Sequence, residues 1–319
     1  MGLRHNKKGI VFTILSIVIA IFFTITFSAR TEKPLDYHVD ITNARITVIH
    51  SYTENFFDYA ELSSSISGYS ALQGVIEDLN NMNAYNPDFE TQYVNCVETG
   101  MLTDSKVCPN MINKTLYYYL NKIKNLTQQE FNLESSYEIR NISVNQTKPF
   151  SIELRMNITL NITDAYANAS DTRILTSSVD INGLLDPVYL INGTYNQTIN
   201  QTSLRRAGKW NSTDLIQLYN NHEYREYNNA TKFIDRIKGN FTPSNLGIES
   251  FVNHTHPDVS YDENDTMVDY LFWQGVKFNC QTPRVLEIND TSIINPFYQL
   301  DVDHIDSFDI DPSQTRVTC

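Results

Sequence analysis

The sequence predicts an α+β protein. An N-terminal transmembrane helix and an amphipathic helical stalk would precede a β-rich extracellular domain, built as an antiparallel sheet or a sandwich. Three observations indicate this class: an uncharged apolar stretch near the N-terminus, apolar residues at helical spacing after it, and strict two-residue alternation farther along.

The apolar stretch covers residues 9–29 and contains 13 Ile, Val, Leu or Phe residues and no charge. As a helix it would be about 30 Å long, which matches the hydrocarbon core of a bilayer. Arg4, Lys7 and Lys8 precede it, and the first thirty positions contain no acid. We therefore predict a cytoplasmic basic leader at 1–8 and a single membrane span at 9–29, with the bulk of the chain extracellular. A buried core helix is the alternative.

Two processing sites are open. The small-x-small pattern at Thr26–Ser28 is typical of signal peptidase cleavage, although this apolar run is longer than that of most signal peptides. The basic-Gly-apolar junction at Gly9 and Ile10 resembles the class III signal peptide of archaeal type IV pilin-like proteins. That resemblance implies cleavage after Gly9 on the inner face, with the helix retained. Ile14 stands where many pilins carry an acid.

Charge excludes some partners. Four of the 24 basic residues and none of the 37 acidic residues lie in the first thirty positions, so the remainder carries a formal charge of −17. Such a surface repels nucleic acid and anionic lipid headgroups. We predict no nucleic-acid partner; the predicted partners are the lipid bilayer, through residues 9–29, and other copies of the chain or other envelope proteins.

Sixteen Asn-x-Ser/Thr sequons, none of them within residues 30–109, indicate N-glycosylation outside the membrane. An Asn- and Thr-rich composition that produces the motif by accident is the alternative. The sequon residues are Asn113, Asn125, Asn141, Asn145, Asn157, Asn161, Asn168, Asn192, Asn196, Asn200, Asn211, Asn229, Asn240, Asn253, Asn264 and Asn289.

The four cysteines all follow the apolar stretch, where oxidation is expected. Four cysteines allow three pairings. We favour Cys96 with Cys108, because they flank a short loop, and this leaves Cys280 with Cys319. No Cys/His spacing indicates zinc.

Residues 30–83 are predicted to be the helical stalk, because apolar residues recur at helical spacing from Ile41 to Leu79 after a break at Pro34. Gly68 is expected to bend or interrupt it. One continuous rod from Ile10, like the long N-terminal helix of pilins, and two separate helices are both open. Residues 84–148 are predicted as irregular chain up to position 109, with the disulfide, followed by an amphipathic helix over 111–131.

Residues 149–319 form the predicted β-rich domain. Residues 150–163 alternate apolar and polar side chains, with Asn157 and Asn161 on the polar face. The Asn-Gly pairs at 182–183 and 192–193 predict hairpin turns on either side of 184–191, and therefore a β meander in this region. Short helices are expected within 213–227 and 230–237, and strands at 267–273, 285–288 and 297–302.

Four further segments, Gly68–Leu72, Ile181–Pro187, Gly247–Phe251 and Val268–Phe272, resemble a group of uncharacterised archaeal exported proteins. Those proteins start with the same Lys-Gly-apolar junction. The resemblance implies a surface location and a pilin-like start, and it implies no activity.

Catalytic motifs are missing from the sequence: Gly68–Leu72 lacks the last Gly of a nucleophile elbow, and there is no phosphate loop or His-Glu-x-x-His. We predict a non-enzymatic protein with a structural or adhesive role; an exported monomeric ligand- or solute-binding module is the alternative, followed by a secreted hydrolase. No cofactor is predicted, and the one candidate ion is calcium. Its candidate ligands are Asp301, Asp303, Asp306, Asp309 and Asp311, for which a solvated acidic face is the alternative.

Overall fold

The computed structural model describes residues 7–103, 106–165, 167–192, 195–204, 209–254, 256–262, 264–278, 285–288, 298–311 and 315–317. Side chains are described in the same ranges except for 7–38, 285–288, 298 and 315–317. Within these residues the fold is mixed α+β, and its strand ladders are antiparallel.

The helices are α1 (Lys7–Met82), α2 (Phe89–Thr99), α3 (Leu116–Phe131), α4 (Pro187–Ile191), α5 (Ser212–Asn220), α6 (Phe233–Lys238), α7 (Asp269–Trp273) and α8 (Val302–Ser307). The strands are β1 (Met101–Thr103), β2 (Lys106–Val107), β3 (Glu134–Lys148), β4 (Ser151–Thr163), β5 (Asn168–Asp180), β6 (Arg225–Glu226), β7 (Ile248–Glu249), β8 (Val285–Ile288), β9 (Tyr298–Asp301) and β10 (Thr315–Val317).

Helix α1 is continuous over 76 residues, so the single rod rather than two helices is observed. The predicted break at Pro34 and the interruption at Gly68 are wrong. Gly68 instead permits close packing: a Cβ there would lie 2.7 Å from side-chain atoms of Leu154 and Val179. Its carbonyl also accepts a hydrogen bond from the Tyr93 hydroxyl.

The predicted membrane span at 9–29 lies on the α1 backbone, but its side chains, and residues 1–6 of the predicted leader at 1–8, lie outside the described residues. The predicted processing residues Gly9 and Ile10 also lie on the α1 backbone, and their side chains are outside the described residues. Over the described part of the chain, no helix is both long and apolar enough to cross a bilayer.

The largest sheet has the order β3-β4-β5, and its inner face packs on α1. The strict alternation predicted for 150–163 is confirmed in β4, where every second side chain, from Ile152 to Ile162, is buried in the core. Polar contacts fix α1 on the same sheet: Arg45 pairs with Asp164, and Ser64 donates to Ser177 at 2.6 Å. The outer half of α1 is therefore part of the core, as in a rod whose end is covered by a head.

The chain after β5 is less β-rich than predicted. Residues 184–191 contain α4 rather than a strand, because Pro187 opens a helix and the Asp186 carboxylate accepts the Val188 N–H as its cap. Residues 267–273 contain α7, also against the prediction. The predicted short helices appear as α5 and α6, and the last two predicted strands appear as β8 and β9.

The prediction of irregular chain up to position 109 is wrong, because α2 lies there. Phe89, Tyr93, Cys96 and Val97 form its buried face, at helical spacing, against α1. The helix predicted over 111–131 is confirmed from Leu116 onward, and the Thr115 side chain caps it by accepting the Tyr118 N–H.

Gly74 provides a test of how closely α1 packs on the chain beside it. A Cβ at this position would lie 2.3 Å from the Pro109 carbonyl oxygen and 2.8 Å from Cys108 Sγ. Alanine gains about 1 kcal/mol of helix propensity, but a backbone clash of this kind exceeds that gain. We expect Gly74→Ala to lower the free energy of unfolding by about 1–3 kcal/mol in chemical denaturation. The control is Ser51→Ala, at an exposed position on the same helix, which should not lower the free energy of unfolding. If the Gly74→Ala chain is as stable as the parent chain, the close packing at Gly74 is contradicted.

Candidate functional site

The sequon asparagines lie on the surface. Of the fifteen that the structure describes, twelve are exposed, three (Asn157, Asn211 and Asn253) are half-buried and none is buried. Asn289 lies outside the described residues. Each described asparagine is therefore placed at least partly in water, where an attached glycan can be accommodated.

Five sequon asparagines share the outer face of the β3-β4-β5 sheet. Asn141 and Asn145 lie on β3, Asn157 and Asn161 on β4, and Asn168 begins β5. They share a face because their strand positions alternate with the buried core residues. Asn141 lies directly opposite Asn157 in the ladder. This sequon-bearing sheet face is turned away from α1.

Helix α1 has the opposite character. It lies within the sequon-free part of the sequence, and its described side chains include four exposed aliphatic ones: Val39, Ile46, Leu62 and Ile66. Leu62 is the most exposed of these, at 61%. The described surface thus contains a sheet face rich in sequons and a long helix, α1, that has none.

The predicted disulfide between Cys96 and Cys108 is present, with a Cα–Cα distance of 5.7 Å. It joins α2 to the end of the β1-β2 hairpin, and both sulfurs are buried beside α1. The other predicted pair, Cys280 with Cys319, lies outside the described residues.

A buried charge network (Asp186, Arg225, Arg236, Glu249, Asp269, Asp301 and His304) lies at the centre of the chain after β5. The first half of the network is centred on Arg236, which is fully buried. Its guanidinium lies 2.7 Å from Asp186 Oδ2 and 2.9 Å from Asp269 Oδ2. Tyr224 also donates to Asp186, and Ser250 donates to Asp269. Burial raises the pKa of Asp269 to about 6, against the opposing effect of Arg236.

The second half of the network is centred on Glu249. Its two carboxylate oxygens contact Arg225 Nε at 2.6 Å and His304 Nε2 at 2.9 Å. His304 Nδ1 lies 2.8 Å from Asp301 Oδ1, so a carboxylate faces each ring nitrogen. Burial lowers the pKa of His304, but Glu249 and Asp301 outweigh that effect and raise it to about 10.

This geometry favours a structural role for the network. Since both nitrogens of His304 face carboxylates, both are donors and neither is free to accept a proton at neutral pH. Three segments of the wider resemblance, Ile181–Pro187, Gly247–Phe251 and Val268–Phe272, meet here and supply Asp186, Glu249 and Asp269. The fourth, Gly68–Leu72, lies inside α1 and forms no nucleophile elbow.

The His304 contacts predict alkaline destabilisation. A histidine whose folded pKa is raised from about 6.5 to about 10 binds a proton that the unfolded chain releases, so its contribution is complete below pH 6.5 and is lost as the pH rises to 10. We expect the free energy of unfolding to fall between pH 7 and pH 9, with a slope of at most about 1.4 kcal/mol per pH unit. Chemical denaturation at each pH measures it. His304→Gln should flatten the slope, and an unchanged slope in that variant contradicts the assignment.

The candidate calcium ligands do not converge. Asp301 is buried, caps α8 and pairs with His304, whereas Asp303, Asp306, Asp309 and Asp311 are exposed. Asp309 also contacts Lys209 at 3.1 Å. The described residues contain no group of His, Cys, Asp and Glu side chains that could hold a metal ion. The reason is that α8 winds the chain between Val302 and Ser307 and turns successive carboxylates in different directions.

A cleft of about 440 Å³ lies between the end of α1, the chain around Asn110 and the turn at Gly183. Ile76, Leu184 and Leu190 contribute apolar walls, and Glu77 and Lys114 contribute charge. Its volume lies within the range of small-molecule sites.

Sequence reasoning missed the buried network. Arg225 and Glu249 are neighbours only because β6 and β7 pair, and the other members come from four separate segments. The one indication in the sequence is that three of the four resemblance segments contain an Asp or Glu residue. Local periodicity does not show that these residues are buried together.

Comparison with known proteins adds little. No protein-family model and no curated protein matches the chain. One similar solved structure, a 2.5 Å structure from Catenulispora acidiphila, is 8% identical over 43% of this chain and 90% of its own, with a TM-score of 0.13. At that score the likeness supports no argument about fold or function.

Proposed function

We propose that this chain is a membrane-anchored, N-glycosylated cell-surface protein of the archaeal pilin-like kind, with a structural or adhesive role and no enzymatic activity. The observation that carries the proposal is the continuity of α1. One helix joins the apolar stretch at 9–29 to residues 49–79, which are packed in the core of the head. The intervening turns would act as a spacer of about 30 Å.

Two further observations support an extracellular head. The described sequon asparagines are exposed or half-buried throughout, which is what glycan attachment requires. The disulfide between Cys96 and Cys108 is typical of an oxidising compartment.

The proposed partners follow from the same features. Lipid is the proposed partner of residues 9–29. The exposed surface of α1, which carries no sequon, is where other copies of the chain or other envelope proteins can approach without meeting a glycan. The acidic surface argues against nucleic acid.

Mass spectrometry of the native N-terminus tests the pilin-like part. We expect the mature chain to begin at Ile10 after cleavage of the basic leader. A chain that begins at Met1, or at Gly2 after methionine removal, contradicts pilin-type processing. Electron microscopy of native membranes would then separate filaments from single anchored copies.

The 440 Å³ cleft supports a second candidate function, an exported monomeric ligand- or solute-binding module. Its volume fits a small-molecule site, and its lining is about half apolar and half polar or charged. Under this alternative the chain remains a lone anchored monomer, and a Leu184→Trp substitution that fills the cleft would abolish ligand binding while leaving the amount of chain at the cell surface unchanged.

A further inference from the structure

One row across the sequon-bearing sheet face is unlike the others. Asn157 on the central strand β4 lies opposite Asn141 on β3 and opposite Ile174 on β5. Ile174 is 57% exposed, and it is the one exposed large aliphatic side chain within β3, β4 and β5. An N-glycosylation sequon on the middle strand therefore has an uncovered apolar side chain as its direct cross-strand neighbour.

This row borders a concavity of about 270 Å³ on the outer face. Arg155 and Ser143 form the next row and provide its polar wall, while Asn157 and Ile174 lie at the other side. The register of β3 against β4 is irregular between Ile139 and Asn141, next to this row, and irregularities of this kind bend the strand that contains them. At about 30 Å³ per water molecule the space equals about nine waters, on the scale of one sugar ring.

The side chain of Asn157 is half-buried and borders this concavity. Its Oδ1 is buried and has no hydrogen-bond partner among the described residues. The amide nitrogen is the atom that carries an N-linked sugar, and it is not among the buried polar atoms that lack a partner in the described residues. Asn141, by contrast, is exposed on the edge strand and has no second strand beside it within the described sheet.

We infer that the glycan on Asn157 is a structural part of the sheet: its first sugar residue fills the concavity and covers Ile174. This inference rests on the proposed glycosylation and goes beyond it, because it assigns one of the sequons a folding role. The ring C–H face of the sugar removes Ile174 from water, and its hydroxyl groups accept hydrogen bonds from the Arg155 guanidinium and exchange them with the Ser143 hydroxyl. The other glycans on this face lack an apolar cross-strand partner and extend into solvent.

The test compares two sequon variants of the full chain, made in a host that performs N-glycosylation and purified in detergent. Asn157→Gln removes the inferred structural glycan. Asn168→Gln is the matched control, since Asn168 is an exposed sequon residue on the same face and does not border the concavity. We expect Asn157→Gln to lower Tm by about 2–4 °C, the scale on which one lost contact acts in a domain of this size, and Asn168→Gln to leave it unchanged.

Two further arms isolate the sugar. In chains made in a host without N-glycosylation, Asn157→Gln should have the Tm of the parent, which shows that the amide itself is not responsible. In an Ile174→Ser background, Asn157→Gln should produce a smaller loss than in the parent, because the apolar contact is already gone and only the bonds to Arg155 and Ser143 are left to lose; an equal loss in both backgrounds contradicts the inferred cover of Ile174.

Glycopeptide mass spectrometry distinguishes failure of the proposed glycoprotein from failure of the inference about Asn157. Absence of sugar from every sequon overturns the proposed glycoprotein and the inference together. Sugar at other sequons but not at Asn157, or an equal Tm for the Asn157→Gln and Asn168→Gln chains, overturns the inference alone.

Discussion

Replacing Arg236 with methionine is expected to lower the free energy of unfolding by about 3–5 kcal/mol, because it breaks a fully buried ion pair. Methionine fills much of the space, but it leaves Asp186 and Asp269 buried without a cation. It also leaves the Ile248 carbonyl without the N–H that it accepts at 2.6 Å. Chemical denaturation of the purified chain measures the change.

Lys238→Met is the control for Arg236→Met. It breaks the partly exposed pair between Lys238 and Glu90, and the expected loss is below about 1 kcal/mol. Adding Asp186→Asn and Asp269→Asn to Arg236→Met should recover part of the stability, because the uncompensated charges are then removed. If Arg236→Met is as stable as the parent chain, the buried charge network does not hold this half of the fold together.

Removing the disulfide should produce the second large effect. The Cys96→Ala, Cys108→Ala chain is expected to lose about 3 kcal/mol, since the crosslink closes a loop with a sequence separation of 12 residues. Both sulfurs are buried against α1, so alanine also leaves unfilled volume there. The measurement is again the free energy of unfolding under non-reducing conditions.

Adding a reductant to both chains distinguishes the effect of the Cys96–Cys108 crosslink from that of the two remaining cysteines. It should lower the stability of the parent chain, though not below that of the double-alanine chain treated in the same way, because reduced cysteines still fill the volume that alanine leaves empty; its effect on the variant itself should be smaller. A parent chain that unfolds at the same denaturant concentration with and without reductant would contradict a stabilising role for the Cys96–Cys108 bond.

Elements with one strong period are predictable from the sequence. β4 is one of them because the alternation from Ile152 to Ile162 is unbroken, and α3 is another because Leu116 and Leu120 lie one turn apart. α2 carries the same helical spacing at Phe89 and Tyr93, but it is only eleven residues long, and the cysteine spacing favours a loop. At residues 184–191 the turn dipeptide at Asn182 competes with a stronger indication, a capping Asp186 followed by Pro187 at the first helical position.

The sequon-bearing sheet face and the buried charge network also differ in how far the sequence predicts them. The sequon-bearing sheet face could be predicted for Asn157 and Asn161, because a two-residue period places both on one side of a strand. Their neighbours Asn141 and Ile174 could not be assigned, since cross-strand register is a property of the folded sheet. The buried charge network was beyond local reasoning for a similar reason: Arg225, Glu249 and His304 come together only through tertiary packing.

Protease treatment of intact cells tests the central claim most directly, that α1 anchors in the membrane a glycosylated head that lies outside. The claim predicts that protease added to unbroken cells cleaves the chain, while a fragment that contains residues 10–29 stays in the membrane pellet after an alkaline carbonate wash. The sequon peptides from 113 onward should carry sugar. A chain that is protected until the cells are broken, leaves the pellet in carbonate and carries no sugar contradicts the claim.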